Sequence, residues 1–498
     1  MPAQPDPWEN LADRRRAYEE SLAAYETLLA GLSGRLNEIH SESRSLRYWG
    51  IVLGPWLMRF VQIARDRFQR GPLARSGRAA RRDALEFIVR VYGGTPPVRR
   101  VKSSKAALAR FIGATRRTAL ACDLGLPPLE LIKLKLAGFT AWPLPLKDNP
   151  LPAPPLDSAK RARLRELPAN TEFEKAVAAI LPDEFPWLHL EGRVEYEASV
   201  GASTLTAPAV LVSTDGWHFN EAFKTVAGTF AERGTRLVAV QHGGGYGLYE
   251  RIWQEKLERA SADSFWCWGW SGLDGDKRLR DVPAPSLSVA SDNGAGGKGI
   301  LLIANDQPRA RWGFQSQALG EGFGVYLEDR ALFLSELGEL REQCAVRLSK
   351  NDMGWEQSAE LAKRFPDVRL ETADGPLHQR LRLSALTIVD HPATSLLEAL
   401  ALDRPTLMFW RPDVWDCRAS VRPLLDGLRR AGVLFDEPRA AARAAAEAWF
   451  HPQVWWSRRE VRAAVLAFRS QMAFSSPIWR KRWAHALKAE ISAARGTK

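Results

Sequence analysis

TRLVAVQHGGGYGLYE, residues Thr235 to Glu250, sets a run of aliphatic residues directly against a histidine and three consecutive glycines. A short apolar run bounded by Gly234 on one side and a glycine cluster on the other predicts a buried strand. The preceding FNEAFKTVAGTFAERG predicts a helix stopped by Gly234, and APAVLVSTDG before it a further strand. Strand, helix, strand with a glycine-rich exit is the βαβ unit of a parallel sheet.

Working outward, the alternation repeats. After VPAPSLSVASDNGAGGKG (Val282–Gly299), a small-residue linker, come ILLIAND, a helix around Leu332–Glu342, CAVRLS, a helix Glu356–Arg364, ALTIVD, a helix Ser395–Leu402 and PTLMFW. This predicts a second doubly wound α/β domain. Upstream, residues 1 to about 45 alternate charges and leucines at helical spacing and end in a turn near HSESRS. The pattern stays helical from Arg65 to Trp142, and PLPLKDNPLPAPPLDSAK then interrupts it with six prolines. EFEKAVAAILPDEFPWLHLEG reads as a helix and turn running into a strand. The expected organisation is a helical region over 1–150, an α/β domain over 151–285, a linker over 286–298, a second α/β domain over 299–450 and helices over 451–498.

A chain of 498 residues with 45% apolar content exceeds one hydrophobic core. Its four cysteines show no CxxC pair and no metal-ligand spacing, which excludes a zinc ribbon and a disulfide framework. The polar N-terminus lacks the apolar core of a signal peptide. YWGIVLGPWLMRFVQI (Tyr48–Ile63) is shorter than a bilayer span and is expected to be buried core. A cytoplasmic protein is expected. Net charge is +12, and Arg65–Asp83 carries seven arginines against two aspartates. Such a patch attracts anionic lipid, acidic glycan or phosphate polymers, but no nucleic-acid-binding signature accompanies it.

Ligands of open parallel sheets bind outside the carboxyl ends of the strands, and four motifs fall there. STDGWH carries Asp215. QHGGGYG carries His242 and Gly243, Gly244 and Gly245, whose missing Cβ atoms let backbone amides approach a ligand. VRLSKNDMGW carries Arg347 and Lys350. VDHPATSLLEALALDRPTLMF carries Asp390, His391 and Pro392, then Thr394 and Ser395 expected as caps of a helix bearing Glu398, whose N-terminus suits an anion. The motifs divide between two domains facing a cleft. Each has a purely structural use as well: turn, cap or tight bend.

Several of these blocks resemble a known family. Two tandem α/β domains with the His-Pro, Ser/Thr, helix-with-Glu signature resemble a GT-B glycosyltransferase. LNEIHSESRSLRYWGIVLGPWL, FNEAFK, VAVQHGGGYG, FWCWGW, VRLSKNDMGW, TSLLEAL, PTLMFW and the pair Trp455–Trp456 resemble a bacterial family of surface-polysaccharide transferases related to the retaining β-Kdo transferases of lipopolysaccharide O-antigen assembly. The resemblance runs from about Leu36 to Leu487 and implies transfer of a 3-deoxy-2-ketoulosonic acid from a CMP-activated donor to a glycan or lipid-linked glycan acceptor in capsule or lipopolysaccharide synthesis. Arg347 and Lys350 would face the phosphate or the sugar carboxylate, the amides at Ser395 with His391 would hold the CMP phosphate, and Glu398 would contact the ribose. His242 would stand beside the reacting carbon.

Retention by double displacement needs an enzymic nucleophile, usually a carboxylate. Asp215 is favoured because it ends a strand, with Glu221 the other candidate and Glu174 and Glu191 as acid/base partners. The family pattern reads Asp-Glu where this chain has Asn220–Glu221; a nucleophile at position 220 would be missing here. No metal and no cofactor are expected, because cationic side chains neutralise the phosphate and no DxD pair stands near the donor motif. Arg65–Arg82 would meet anionic lipid at the inner face of the cytoplasmic membrane. Two other readings stay open: a transferase or epimerase using a UDP- or GDP-sugar, and a non-catalytic basic binding module.

Overall fold

The computed structural model describes residues 7, 8, 10–71, 118–144, 146, 151–288 and 297–496. Most of the arginine-rich stretch, the expected helical run over 72–117 and the centre of the expected linker lie outside the described residues.

The chain divides into two compact units. The first comprises the described parts of Ala12–His242, Trp253–Trp266 and Trp483–Lys498. Its sheet contains β1 (Ala119–Cys122), β2 (Trp142–Pro143), β3 (Val210–Ser213), β4 (Arg236–Val240) and β5 (Ser264–Cys267). The strands run in the order β2-β1-β3-β4-β5, and every pair is parallel. β3 is buried throughout and β4 nearly so, as expected of strands covered on both faces. β1 and β2 fall in a stretch whose periodicity predicts helix: four residues, ALAC, carry too little pattern to register against a helical background. WLHLEG likewise forms a 3-10 turn (Trp187–His189) followed by the helix Arg193–Val200, and no strand.

Two helices, Leu11–His40 and Leu46–Arg70, precede the sheet, the second capped by Ser45. Tyr48–Ile63 is core as expected, with Trp49 and Trp56 at most 1% exposed. It packs on the helix Glu221–Glu232, where Gly228 lies so near Tyr48 that a Cβ would stand 2.8 Å from the ring. The C-terminal helix Trp479–Gly496 returns to this unit from Trp483 onward. There Glu490 accepts from Arg236 Nε (2.6 Å), Ser264 Oγ (2.6 Å) and Trp266 Nε1 (3.3 Å), and the Trp483 ring meets that of Trp266 edge-on at 5.5 Å.

The second unit comprises Gly243–Ile252, Cys267–Arg482 and the chain start, where Trp8 packs on Phe314 at 4.7 Å. It holds the short β6 (Leu279–Asp281) and six further strands: β7 (Ile300–Ile303), β8 (Cys344–Leu348), β9 (Arg369–Thr372), β10 (Leu386–Val389), β11 (Thr406–Phe409) and β12 (Leu434–Phe435). The order β12-β11-β10-β7-β8-β9, parallel throughout, is the dinucleotide-fold order, with its reversal between β7 and β10. The two parallel sheets make a GT-B-like, two-domain α/β fold. The helix expected around Leu332 begins ten residues earlier, at Gly322, and ends at Glu336. The chain crosses from the first unit to the second inside the opening motif, between His242 and Gly243.

Glu490 is a buried carboxylate that ties the C-terminal helix to β4 and β5. Replacing it by alanine removes the acceptor of two buried donors and of the half-buried Arg236, and urea denaturation should show a loss of about 3 kcal/mol.

Candidate functional site

The second unit's half is built around Asp390, which directly follows β10. Its Oδ1 accepts from Tyr326 Oη (2.7 Å) and His391 Nδ1 (2.8 Å), and its Oδ2 accepts from Arg330 Nε (2.7 Å). Tyr326 and Arg330 lie four apart on the helix Gly322–Glu336, so one helical face presents both to the same carboxylate. Burial raises the Asp390 pKa, but the Arg330 guanidinium outweighs it and holds the carboxylate below the usual range. With His391 Nδ1 committed to Asp390, Nε2 accepts from Ser395 Oγ at 2.9 Å. The array Arg330, Asp390, His391, Ser395 thus fixes the ring and its tautomer.

Thr394 and Ser395 do not cap the helix Thr394–Ala401. Ala393 holds the cap position and has no side-chain oxygen to offer; Ser395 is turned to His391, and Thr394 Oγ1 accepts the Gly244 N–H at 2.9 Å. Gly244 is therefore spent inside the unit. A Cβ there would stand 2.5 Å from the Thr394 nitrogen, and one on Gly245 would stand 2.5 Å from the Tyr249 ring. Gly243 is not crowded: its Cβ would meet Tyr246 at 3.6 Å. Gly247 has φ +70°, where glycine alone is at ease, and packs on Trp270. Pro392 is buried in the turn between His391 and the helix.

Arg347 is the penultimate residue of β8 and donates to the Gly375 carbonyl at 2.8 Å. It lines a pocket of about 300 Å³ at the carboxyl ends of β7, β8 and β9, together with Asn305, Asp306, Ser349 and Gly375. Lys350 stands apart, exposed, 3.5 Å from Asp374. Glu398 is half-buried; burial pushes its pKa up to about 7, and Arg347 offsets this only in part. Asn305, Tyr326, Arg330 and Gln357 escape a sequence reading. Arg330 donates to Gln357 Oε1 at 2.6 Å, and the Asn305 N–H donates to Tyr326 Oη at 2.7 Å. The legible signal was the polar AND directly after ILLI.

In the first unit the reversal of strand order lies between β1 and β3, where Asp123 and Asp215 stand. Asp123 was missed because β1 was missed. Its backbone is left-handed at φ +47°, and its Oδ2 accepts from Asn220 Nδ2 at 2.8 Å. Asn220 also caps the helix Glu221–Glu232 by accepting the Phe223 N–H at 2.9 Å. An aspartate at 220 would keep the cap but lose the donor to Asp123. His242 follows β4, with Nδ1 3.8 Å from Asp215 Oδ1 and 3.7 Å from Glu258 Oε1. Glu258 is committed to the buried His218 Nε2 at 2.5 Å. Burial holds the His242 pKa below its ordinary range, although the Asp215 carboxylate pulls the other way, so the ring is neutral at pH 7.

The structure does not bring the other carboxylates to this place. Glu174 completes a capping box with Thr171. Glu191 is held by Arg161 at 2.6 and 2.8 Å. Glu221 is buried between Lys224 Nζ (2.5 Å) and His189 Nε2 (3.1 Å); burial raises its pKa, but these partners overcome it and bring it to about 2. Among the described residues no group of three His, Cys, Asp or Glu side chains could hold a metal ion, and no helix is long and apolar enough to cross a membrane. Beside Asp123 opens a second pocket of about 320 Å³ with largely apolar walls, among them Leu131, Leu134, Phe139 and Leu144.

Two outcomes follow from this geometry. Gly244→Ala forces a Cβ into backbone atoms that cannot turn away and should lower stability in urea by about 1–3 kcal/mol, with Gly243→Ala nearly neutral. Glu398 binds its proton more tightly folded than unfolded, so its contribution is most favourable below its ordinary 4.5 and is lost as pH rises to about 7. Glu398→Gln should abolish that fall, on the order of 3 kcal/mol at most, in melts between pH 4 and 8.

No protein of curated function matches the chain. Among solved structures it is similar to a Staphylococcus aureus TarM mutant in complex with UDP (9% identity, TM-score 0.34, 57% of this chain and 55% of that one). It is also similar to a UDP-forming trehalose-phosphate synthase from Burkholderia vietnamiensis (10%, 0.40, 76% and 99%). A third is an epimerase-type structure from Listeria monocytogenes, described as a UDP-N-acetylglucosamine 2-epimerase (13%, 0.41, 77% and 98%). The chain spans about half the length of the first of these, and likenesses this distant transfer no chemistry. A family profile described as LIC12162 family transferase matches residues 1–74 and 97–487, nearly the whole sequence, and the chain belongs to that family of transferases.

Proposed function

We propose that the protein is a glycosyltransferase of bacterial surface-polysaccharide assembly that takes a CMP-activated ulosonic acid of the Kdo type and passes it to a glycan acceptor with retention. The observation that carries this reading is the combination, in one unit, of Arg347 on the wall of a pocket at the strands' carboxyl ends with a helix N-terminus lacking a side-chain cap. Helix amide dipoles and a guanidinium suit a ligand bearing both a phosphodiester and a carboxylate. Ser395 and His391, held by Asp390, would orient the phosphate. Glu398, largely able to keep its proton near neutrality, would donate to the nucleotide instead of repelling it.

In the first unit Asp215 would attack the anomeric carbon as CMP departs, forming a glycosyl-enzyme ester. The acceptor hydroxyl would then displace Asp215, with neutral His242 taking the hydroxyl proton. Asp123, set by Asn220, is the second carboxylate at the same sheet edge and would help orient the acceptor.

The test is thermal stabilisation by CMP, UMP, GMP, UDP and GDP. CMP at about a hundred times its Kd should add roughly 2.7 kcal/mol, and Arg347→Ala should lose the shift. A shift with UDP or GDP alone would overturn the donor. With CMP-Kdo as donor, His242→Ala should cut turnover by about 10²–10⁴-fold while leaving the CMP shift in place.

A further inference from the structure

The helix Pro128–Leu136, PLELIKLKL, has apolar residues on two opposite faces. The inner face is accounted for: Leu131 and Leu134 form part of the wall of the pocket beside Asp123. The outer face is not. Leu129, Ile132 and Leu136 follow one another at three and four residues, which places them on one stripe, and they are 61%, 56% and 84% exposed. Lys133 belongs to the same stripe. Just beyond the helix Trp142 is 42% exposed, with Lys135 Nζ 4.1 Å from its ring centre. Aliphatic side chains, an indole and lysines on one exposed element are the composition of a segment lying in the headgroup region of a bilayer, the ammonium groups reaching the lipid phosphates.

We propose that Leu129, Ile132, Leu136 and Trp142 form a docking surface for an anionic lipid bilayer. Charge complementarity decides the occupant. The helix carries Lys133 and Lys135 against one acid, Glu130, which Lys133 already pairs at 3.1 Å, and the chain as a whole carries +12. A second copy of this chain would set lysine against lysine across the stripe, whereas phosphatidylglycerol supplies the missing anions. The attachment is peripheral: the helix has nine residues, far short of a span. Its place gives the contact a use, because Asp123 at the sheet's carboxyl edge lies only five residues before Pro128. The surface does not depend on the donor reading above.

The experiment is flotation of the full-length protein with phosphatidylglycerol-containing vesicles and with pure phosphatidylcholine vesicles. The wild type should float with the anionic vesicles. The triple variant Leu129→Gln, Ile132→Gln, Leu136→Gln should bind them about tenfold or more weakly, with an unchanged melting temperature. Leu136→Gln alone, at the most exposed position, should give a partial loss and carries the test if the triple variant is unstable. The arginine-rich stretch Arg65–Arg82 is intact in every protein compared, so a difference reports the helix alone. Equal flotation of wild type and variants would overturn the proposal. So would a wild-type dimer in light scattering that the variants convert to monomer.

Discussion

The backbone of Gly244 runs so close to the start of the helix Thr394–Ala401 that no side chain fits between them. That close approach commits a series of groups in turn. The Thr394 hydroxyl is spent on the Gly244 N–H and is lost as a cap. Ser395 turns to His391, His391 is locked by Asp390, and Asp390 is charged because Arg330 and Tyr326 reach it from another helix. The helix is left with amide groups that no side chain satisfies, at the point where its dipole favours an anion. The close approach of Gly244 thus fixes the Thr394 hydroxyl, while the alanine at the cap position leaves the helix without a side-chain cap.

The acids of the first unit sort by what they already hold. Glu174, Glu191 and Glu221 are engaged by backbone amides, a bidentate arginine and a lysine-histidine pair. Withdrawing such a buried carboxylate from its partner costs several kcal/mol. Among the described residues Asp215 shows no such engagement: the ring of His242 stands 3.8 Å away, and burial lowers the pKa of that ring. Asp123 lies between these cases, held by one neutral amide that orients it without discharging it.

Much of this was legible. The strands with largely apolar runs, VLVS, RLVAV, ILLI, CAVRL, LTIV and TLMF, appear where the pattern puts them, because near-continuous burial leaves a near-continuous apolar signal. The losses have physical causes. β1 sits in a stretch of helical periodicity, β2 and β12 have two residues each, and β9 is an edge strand, RLET, that is exposed or half-buried along its length. Their hydrogen bonds come from neighbours far away in sequence, which no local period records. In the site, Arg347, His391 and Ser395 follow from strand ends, whereas Arg330 and Tyr326 lie on the outer helix and act only through a tertiary contact. Lys350 shows the converse failure: three residues past Arg347 the strand has ended, and its side chain points to solvent.

The two sheets follow one topological rule with opposite electrostatic results. In each, strand order reverses beside one strand, β1 in one unit and β7 in the other, and a residue just beyond that strand is held by a group from elsewhere: Asp123 by Asn220, and the Asn305 N–H by Tyr326. At the first reversal the side chains are Asp123 and Asp215. At the second, Asn305 and Asp306 share the pocket wall with Arg347, and Arg330 balances the charge of Asp390. Under the proposed reading the donor's phosphate would meet the guanidinium and the helix N-terminus of the second unit, and the carboxylates of the first would serve the reacting carbon.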